Sequence, residues 1–266
     1  MPALSHLFIH PLKSTRGLSL TRATVEPMGL ENDRRWMLVR SDGSFITGRE
    51  NPSLVLVSAV PSERGLRVSA PGHPDLEVPV PPADAPRLEI TIWKDQCSAP
   101  QAGQEADRWF SRYLGEPTHL VFVDARMERP VDPHYAAPGD RVGFTDGFPL
   151  LLVGQASLEE LNRRLPRPIT MEHFRPNLVV EGSEPFAEDS WKRLRVGEVE
   201  LEVVKPCARC VFTTVDPRTG QKAADGEPLR TLATFRRSEG KVMFGQNVLV
   251  RRPGTLQVGD PVQVLE

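Results

Sequence analysis

Proline and glycine interrupt this chain from end to end, with 26 prolines and 20 glycines in 266 residues and no single tract that collects them. Proline removes a backbone donor and fixes φ, while glycine releases the chain into turns. A sequence broken this often favours many short strands over long helices. Between the breaks, Leu4–His10, Leu18–Glu26, Arg35–Arg40, Leu54–Val60, Leu66–Ala70 and Leu88–Trp93 read as strands. Ser41-Asp42-Gly43-Ser44 supplies a hairpin turn, with Asp-Gly favoured at its centre. Residues 78–86 (VPVPPADAP) hold four prolines, so this stretch is an extended edge or a linker and not a central strand.

Helical periodicity appears three times. Ala106, Trp109, Phe110, Tyr113 and Leu114 fall at i, i+3, i+4, i+7 and i+8. Ser157 with Glu160 three residues on reads as a capping box, followed by a stripe of Leu158, Leu161 and Leu165. Pro228 opens a third helix with Leu229, Leu232 and Phe235 on one face. Residues 124–143 are polar and Pro-rich and read as a loop. Asn177–Val180, Arg195–Val204, Val211–Val215, Val248–Val250 and Pro261–Leu265 return to strand patterning. The expectation is a β-rich α+β chain, barrel-like, divided into parts at 1–95 and 96–266.

Lys and Arg total 33 against 35 Asp and Glu, a formal charge of −2, which excludes an overall basic coat for nucleic acid. A local basic pocket stays compatible with that balance. The N-terminus has no basic segment leading into an apolar stretch, so no secretory signal is read there. The longest apolar runs, 54–57 and 150–153, are far short of the roughly 20 residues of a membrane span. These features predict a soluble, cytoplasmic protein with neither a membrane nor a nucleic acid among its partners. Three cysteines (Cys97, Cys207 and Cys210) make an odd number, unlike a disulfide-stapled scaffold.

Cys207 and Cys210 form a C-x-x-C with Arg209 between them. Zinc would need four N or S ligands, and neither a second pair nor suitably spaced histidines are present. A thioredoxin-like pair opens a helix, whereas this one runs into the β-branched Val211–Val215. Two readings stay open: one thiolate bound to a metal cofactor with the other Cys structural, or two small buried residues. Arg209 can stabilise a thiolate or grip a phosphate.

The segment Cys207-Ala-Arg-Cys210, continuing through Thr213-Thr-Val-Asp-Pro217 to Thr219-Gly220, resembles the cofactor segment of the MOSC family. Phe174-Arg-Pro-Asn-Leu-Val-Val180, Glu188-Asp-Ser-Trp191, Phe244-Gly-Gln-Asn247 and Val258-Gly-Asp-Pro261 are similar to MOSC sequence as well. At the front, Ile9-His-Pro-Leu-Lys-Ser14, Arg16-Gly17 and Asp33-Arg-Arg-Trp36 resemble the β-barrel domain that precedes MOSC in amidoxime-reducing components and their bacterial relatives. The resemblance covers essentially the whole chain. It implies a MOSC-type β-barrel with a smaller N-terminal β-barrel-like domain.

It also implies a molybdenum cofactor, the metal held by a phosphate-bearing pyranopterin dithiolene (molybdopterin), with Cys210 as the protein's metal ligand and Cys207 as packing. A soft thiolate suits such a metal. By motif position Lys13, Ser14, Arg34, Thr145, Asp146, Arg175, Asn177, Arg209 and Asn247 would contact the cofactor, and Asp216 would be catalytic beside Cys210. Asn247 and Ala208 stand where some relatives carry an aromatic residue and Ser. The implied activity is reduction of N-hydroxylated compounds such as amidoximes, hydroxylamines and N-hydroxylated bases. Electrons would come from a separate ferredoxin-like or flavin-dependent protein, because this chain carries no cysteine run for a fused iron–sulfur domain. The alternative is a cofactor carrier or sulfur-transfer module, though the pyridoxal-phosphate domain that accompanies the latter role is absent.

Overall fold

In the computed structural model, which describes residues 1–266, both ends of the chain meet in one nine-stranded sheet. Its order is Val262–Val264, Arg193–Val196, Val199–Arg209, Lys241–Arg252, Leu150–Gly154, Leu178–Glu181, Ala3–Ile9 and Leu18–Leu20, with Arg237–Ser238 added beside Lys241–Arg252. The backbone of this sheet is the long antiparallel pair Val199–Arg209 and Lys241–Arg252. Register shifts three times along it, the last between Pro206 and Ala208. Proline cannot donate to a ladder, and a bulge re-aims the strand that carries it. Cys207 and Cys210 lie on this re-aimed end.

Leu150–Gly154 and Leu178–Glu181 are parallel neighbours, joined by a crossover that contains helix α2 (Gln155–Arg164; α1 is Gln104–Leu114). Parallel pairing requires such a crossover. Helix α3 (Leu229–Phe235) presents Leu232 to the same cluster as Leu158, Leu161 and Phe174. The sheet's inner face buries Leu4, Leu7, Leu152, Leu178, Leu201 and Val248. A second core joins Leu12, Trp36, Leu38 and Leu66 to Trp109 and Phe110 of α1.

The protein is strand-rich with three helices, as the turn punctuation implies. Packing does not break at 95/96, however. That point falls inside the strand Asp95–Pro100, the hairpin partner of Arg87–Ile92. Beyond it, α1 and the strand His119–Phe122 still belong to the first half, the latter paired with Trp36–Val39. Conversely Ala3–Ile9 pairs with Leu178–Glu181, and Gly254–Gln257 with Arg22–Glu26. The proline stretch from residue 78 begins as the end of His73–Pro79, an edge strand of a three-stranded sheet.

Three local expectations change. Leu54–Val60 splits into a 3-10 turn, Pro52–Leu56, and a strand, Ser58–Ser62. Val211–Val215 is not a strand: Val211–Thr214 forms a 3-10 turn directly after Cys210. Thr213 Oγ1 donates to the Cys210 carbonyl at 2.9 Å and Thr214 Oγ1 to that of Val211 at 2.8 Å, local bonds that compete with a β ladder. Ser157 does not cap α2, which starts two residues earlier at Gln155. Its hydroxyl donates to the Glu188 carboxylate at 2.7 Å and accepts from Phe186 N at 2.8 Å.

Glu188 is fully buried and also accepts from Gly154 N at 3.0 Å, so one carboxylate fastens the start of α2 to the segment after Leu178–Glu181. Burial pushes its carboxyl up from the usual carboxylate value, against the hydrogen bonds from Gly154 and Ser157. A buried donor left without a partner costs about 1–3 kcal/mol. Glu188→Ala should therefore lower stability by about 2–3 kcal/mol in urea unfolding, and Glu188→Gln, which keeps an acceptor, by less.

Candidate functional site

Six separated stretches of chain bring predicted site residues to one cleft. Lys13 and Ser14 come from the turn after the first strand, and Arg34 from the turn before Trp36–Val39. Thr145 and Asp146 come from the loop before Leu150–Gly154, and Arg175 and Asn177 from the approach to Leu178–Glu181. Arg209 and Cys210 end the long strand, with Asn247 on its partner. Every predicted site residue lines this cleft except Asp216. Its Oδ1 accepts from Arg218 N at 2.7 Å and Thr219 N at 3.3 Å, which makes it the former of the Asp-Pro turn and not a group facing the cleft.

Three of these residues hold left-handed backbone: Ser14 at φ 72°, Arg34 at φ 47° and Arg175 at φ 56°. Non-glycine residues rarely adopt such angles, and they collect at binding sites where the surroundings fix them. Here the fixing contacts run through Arg34. Its Nη1 donates to Asp33 Oδ2 at 2.6 Å and to Asn177 Oδ1 at 3.2 Å, and its Nη2 to the Arg175 carbonyl at 3.0 Å. Asn177 Oδ1 also accepts from Leu151 N at 3.1 Å, while Nδ2 donates to the Phe8 carbonyl at 3.1 Å. The Asn177 amide is thus committed to holding backbone, so the expected cofactor contact from it is not free.

Lys13, Arg34, Arg49, Arg175 and Arg209 line the cleft against one carboxylate, Asp146. Lys13 Nζ donates to the Phe144 carbonyl at 2.8 Å and to Asp146 Oδ1 at 2.5 Å. Burial pulls the Lys13 ammonium down from its usual value, with Asp146 opposing and Arg129 and Arg34 reinforcing. Burial would raise the Asp146 carboxyl, but Lys13, Arg49 and the Trp93 N–H outweigh it and hold the carboxyl well below the usual range. Burial, helped by Arg34 and Arg209, pushes the Arg175 guanidinium down to about 9 against the pull of Asp33 and Asp146. The site is short of negative charge.

Its polar groups are also short of partners. Arg175 Nη1 donates to the Thr15 carbonyl at 2.5 Å and Arg209 Nη2 to the Phe174 carbonyl at 2.6 Å. Arg175 Nη2, Arg209 Nε and Thr145 Oγ1 are buried and unpaired. Unpaired buried donors are uncommon enough to call for a ligand. An anion with several acceptor oxygens, such as a phosphate, answers both shortages. Arg209 Nη1 donates to Cys207 Sγ at 3.0 Å, so Cys207 is engaged within its own strand. Cys97 packs among Ile90, Ile92 and Val121, where burial raises its thiol.

The sequence reading missed Arg49, Phe212 and Trp93. Arg49 Nε donates to Cys210 Sγ at 3.1 Å, and its guanidinium stacks over the Trp93 ring at 4.2 Å. Trp93 is 45% exposed and, at φ 57°, left-handed at a hairpin tip. Gly48 was the usable clue. A Cβ there would sit 2.2 Å from the Phe212 ring, so only glycine lets this turn approach the cysteine segment.

The MOSC N-terminal beta barrel domain matches residues 1–117, and the MOSC domain matches residues 139–263. The chain belongs to the MOSC family. It is 37% identical over 279 residues to mitochondrial amidoxime-reducing component 1 of Mus musculus, covering 98% of this chain and 82% of that one. Against the same component of Homo sapiens it is 36% identical with the same coverage, and against that of Danio rerio 35%, covering 97% and 83%. The cleft lies between the two matched regions. The N-terminal region of this MOSC protein supplies Lys13, Ser14, Arg34 and Arg49, and the MOSC region supplies the thiols.

Asp146 is the counter-charge that lets Lys13 stay buried. Its own side chain is 61% exposed, which moderates the interaction. Asp146→Asn should lower stability at pH 7 by about 1–2 kcal/mol in urea unfolding. A depressed carboxyl stabilises above its unfolded-state value and loses that contribution as pH falls toward its folded-state value. The gap between wild type and variant should therefore close between about pH 5 and pH 2.

Proposed function

We propose that this chain is a molybdenum-cofactor-dependent oxidoreductase that reduces N-hydroxylated compounds, among them amidoximes, hydroxylamines and N-hydroxylated bases. The observation that carries the reading is the thiol of Cys210 at the edge of a cleft whose five cations face a single carboxylate and whose buried donors are unpaired. Relatives named amidoxime-reducing components, alike over nearly the full chain, support the substrate class. When bound, the molybdenum cofactor supplies the two-electron chemistry that breaks an N–O bond.

This chain's residues would do the rest. Cys210 would give the metal a soft sulfur ligand. Arg175 Nη2, Arg209 Nε and Thr145 Oγ1 would bind phosphate or pterin oxygens, with Arg34 holding the backbone that presents Arg175. Lys13 Nζ donates to Asp146 Oδ1, and that largely exposed carboxylate would meet a substrate arriving at the mouth. Trp93 and Arg49 form the rim beside it. Electrons would come from a separate protein, which fits relatives described as components.

Elemental analysis should find about one molybdenum per chain, and reduced viologen should drive benzamidoxime reduction where NADH alone does not. Metal without reduction would instead indicate a carrier, and neither metal nor pterin from a cofactor-competent host would overturn the reading. Partners outside a metal's ligand set are worth about 10–100-fold, so Cys210→Ala should cost more than that in activity and lose the metal. Cys207→Ser should stay within about that range. The reverse order would move the ligand to Cys207.

A further inference from the structure

A second cavity, about 960 Å³ with its mouth, adjoins the cleft, and His173, Arg175 and Phe212 line both. Its own lining carries Arg16 and Arg218 against one acidic residue, the exposed Glu172. Arg16 makes no ion pair, and Arg218 reaches only Asp216, at 4.0 Å with its side chain 84% exposed. Phe8, Val55, Phe212 and Val215 give the cavity an apolar wall.

Two buried polar atoms on its lining have no partner. One is Arg175 Nη2; the other is Nδ1 of His10, a residue only 3% exposed. His10 Nε2 meets the Pro176 carbonyl at 3.3 Å, which requires the hydrogen on Nε2 and leaves Nδ1 a bare acceptor. Burial, with Arg175 and Arg34, keeps the imidazole neutral. Gly17 packs against that ring edge, where a Cβ would lie 2.6 Å from Cε1 and 2.9 Å from Nδ1.

We propose that this cavity is a second binding site, for a small organic anion. The ligand class is a phosphate monoester or carboxylate with an apolar body and one hydroxyl or N–H. Arg16, Arg218 and Arg175 Nη2 take the anionic group, His10 Nδ1 accepts from the hydroxyl or N–H, and the body lies along Phe212 and Val215. Arg16 and Arg218 line only the second cavity, while Arg175 lines both, so the assignment shares one donor with the reading of the neighbouring cleft.

Calorimetric titration of the full chain with phenyl phosphate and with benzoate tests it, inorganic phosphate serving as the control without an apolar body. The organic anions should bind more tightly than phosphate. Arg16→Gln/Arg218→Gln, at exposed positions that leave the fold intact, should weaken them at least about tenfold. Arg49→Gln, which touches only the cleft, should leave them unchanged. Wild-type affinity in the double variant, equal loss in Arg49→Gln, no preference over inorganic phosphate, or no binding by wild type would each overturn the proposal.

Discussion

Arg34 is the point on which the two halves of the site depend. Its guanidinium comes from the N-terminal region and ends on Asp33, Asn177 Oδ1 and the Arg175 carbonyl. Its own amide donates to the His10 carbonyl at 2.9 Å, and His10 N donates to Asp33 Oδ1 at 2.7 Å. One buried ion pair therefore stitches the end of the first strand to the approach of Leu178–Glu181. Charge-assisted bonds of this kind fix geometry as much as they stabilise. Strand pairing already joins the two regions, and this knot fixes how the cations from each face one another.

The knot also explains why the site was legible in outline while its boundaries were not. Turn punctuation identified the β-rich class because proline and glycine act locally. The C-x-x-C and the Arg-Pro-Asn segment pointed to the cleft because motif residues keep their chemistry wherever the chain places them. Strand partners are a different matter. Nothing within residues 3–9 says that they pair with residues 178–181, since any strand of matching pattern would satisfy the same ladder. For the same reason a division at 95/96 could not register that the hairpin Arg87–Pro100 spans it.

Local misreadings had a common cause. Val211–Val215 is rich in β-branched residues, yet Thr213 and Thr214 turn their hydroxyls onto the preceding carbonyls and close a 3-10 turn. Ser157 and Glu160 satisfy a capping pattern, yet Ser157 is drawn to the buried Glu188. Short polar side chains bond whichever partner tertiary structure delivers. Arg49 and Trp93 escaped notice because neither sits in a motif. Arg49 reaches the cleft through the turn where Gly48 meets Phe212, and Trp93 comes in from a hairpin tip to stack on Arg49.

The left-handed residues complete the argument. Each of Ser14, Arg34 and Arg175 costs on the order of 1–2 kcal/mol in backbone strain. Independent hydrogen bonds hold two of these turns: Arg34 N on the His10 carbonyl, and Arg175 N on the Glu172 carbonyl at 3.2 Å. The strain is therefore already borne before any ligand arrives. A ligand entering such a cleft orders little further chain, so more of its contact energy appears as affinity. The same rigidity aims Arg175 at two cavities at once, with one guanidinium nitrogen bonded to Thr15 and the other free. That free nitrogen can complete only one anion site at a time, so occupants of the two cavities would compete for it.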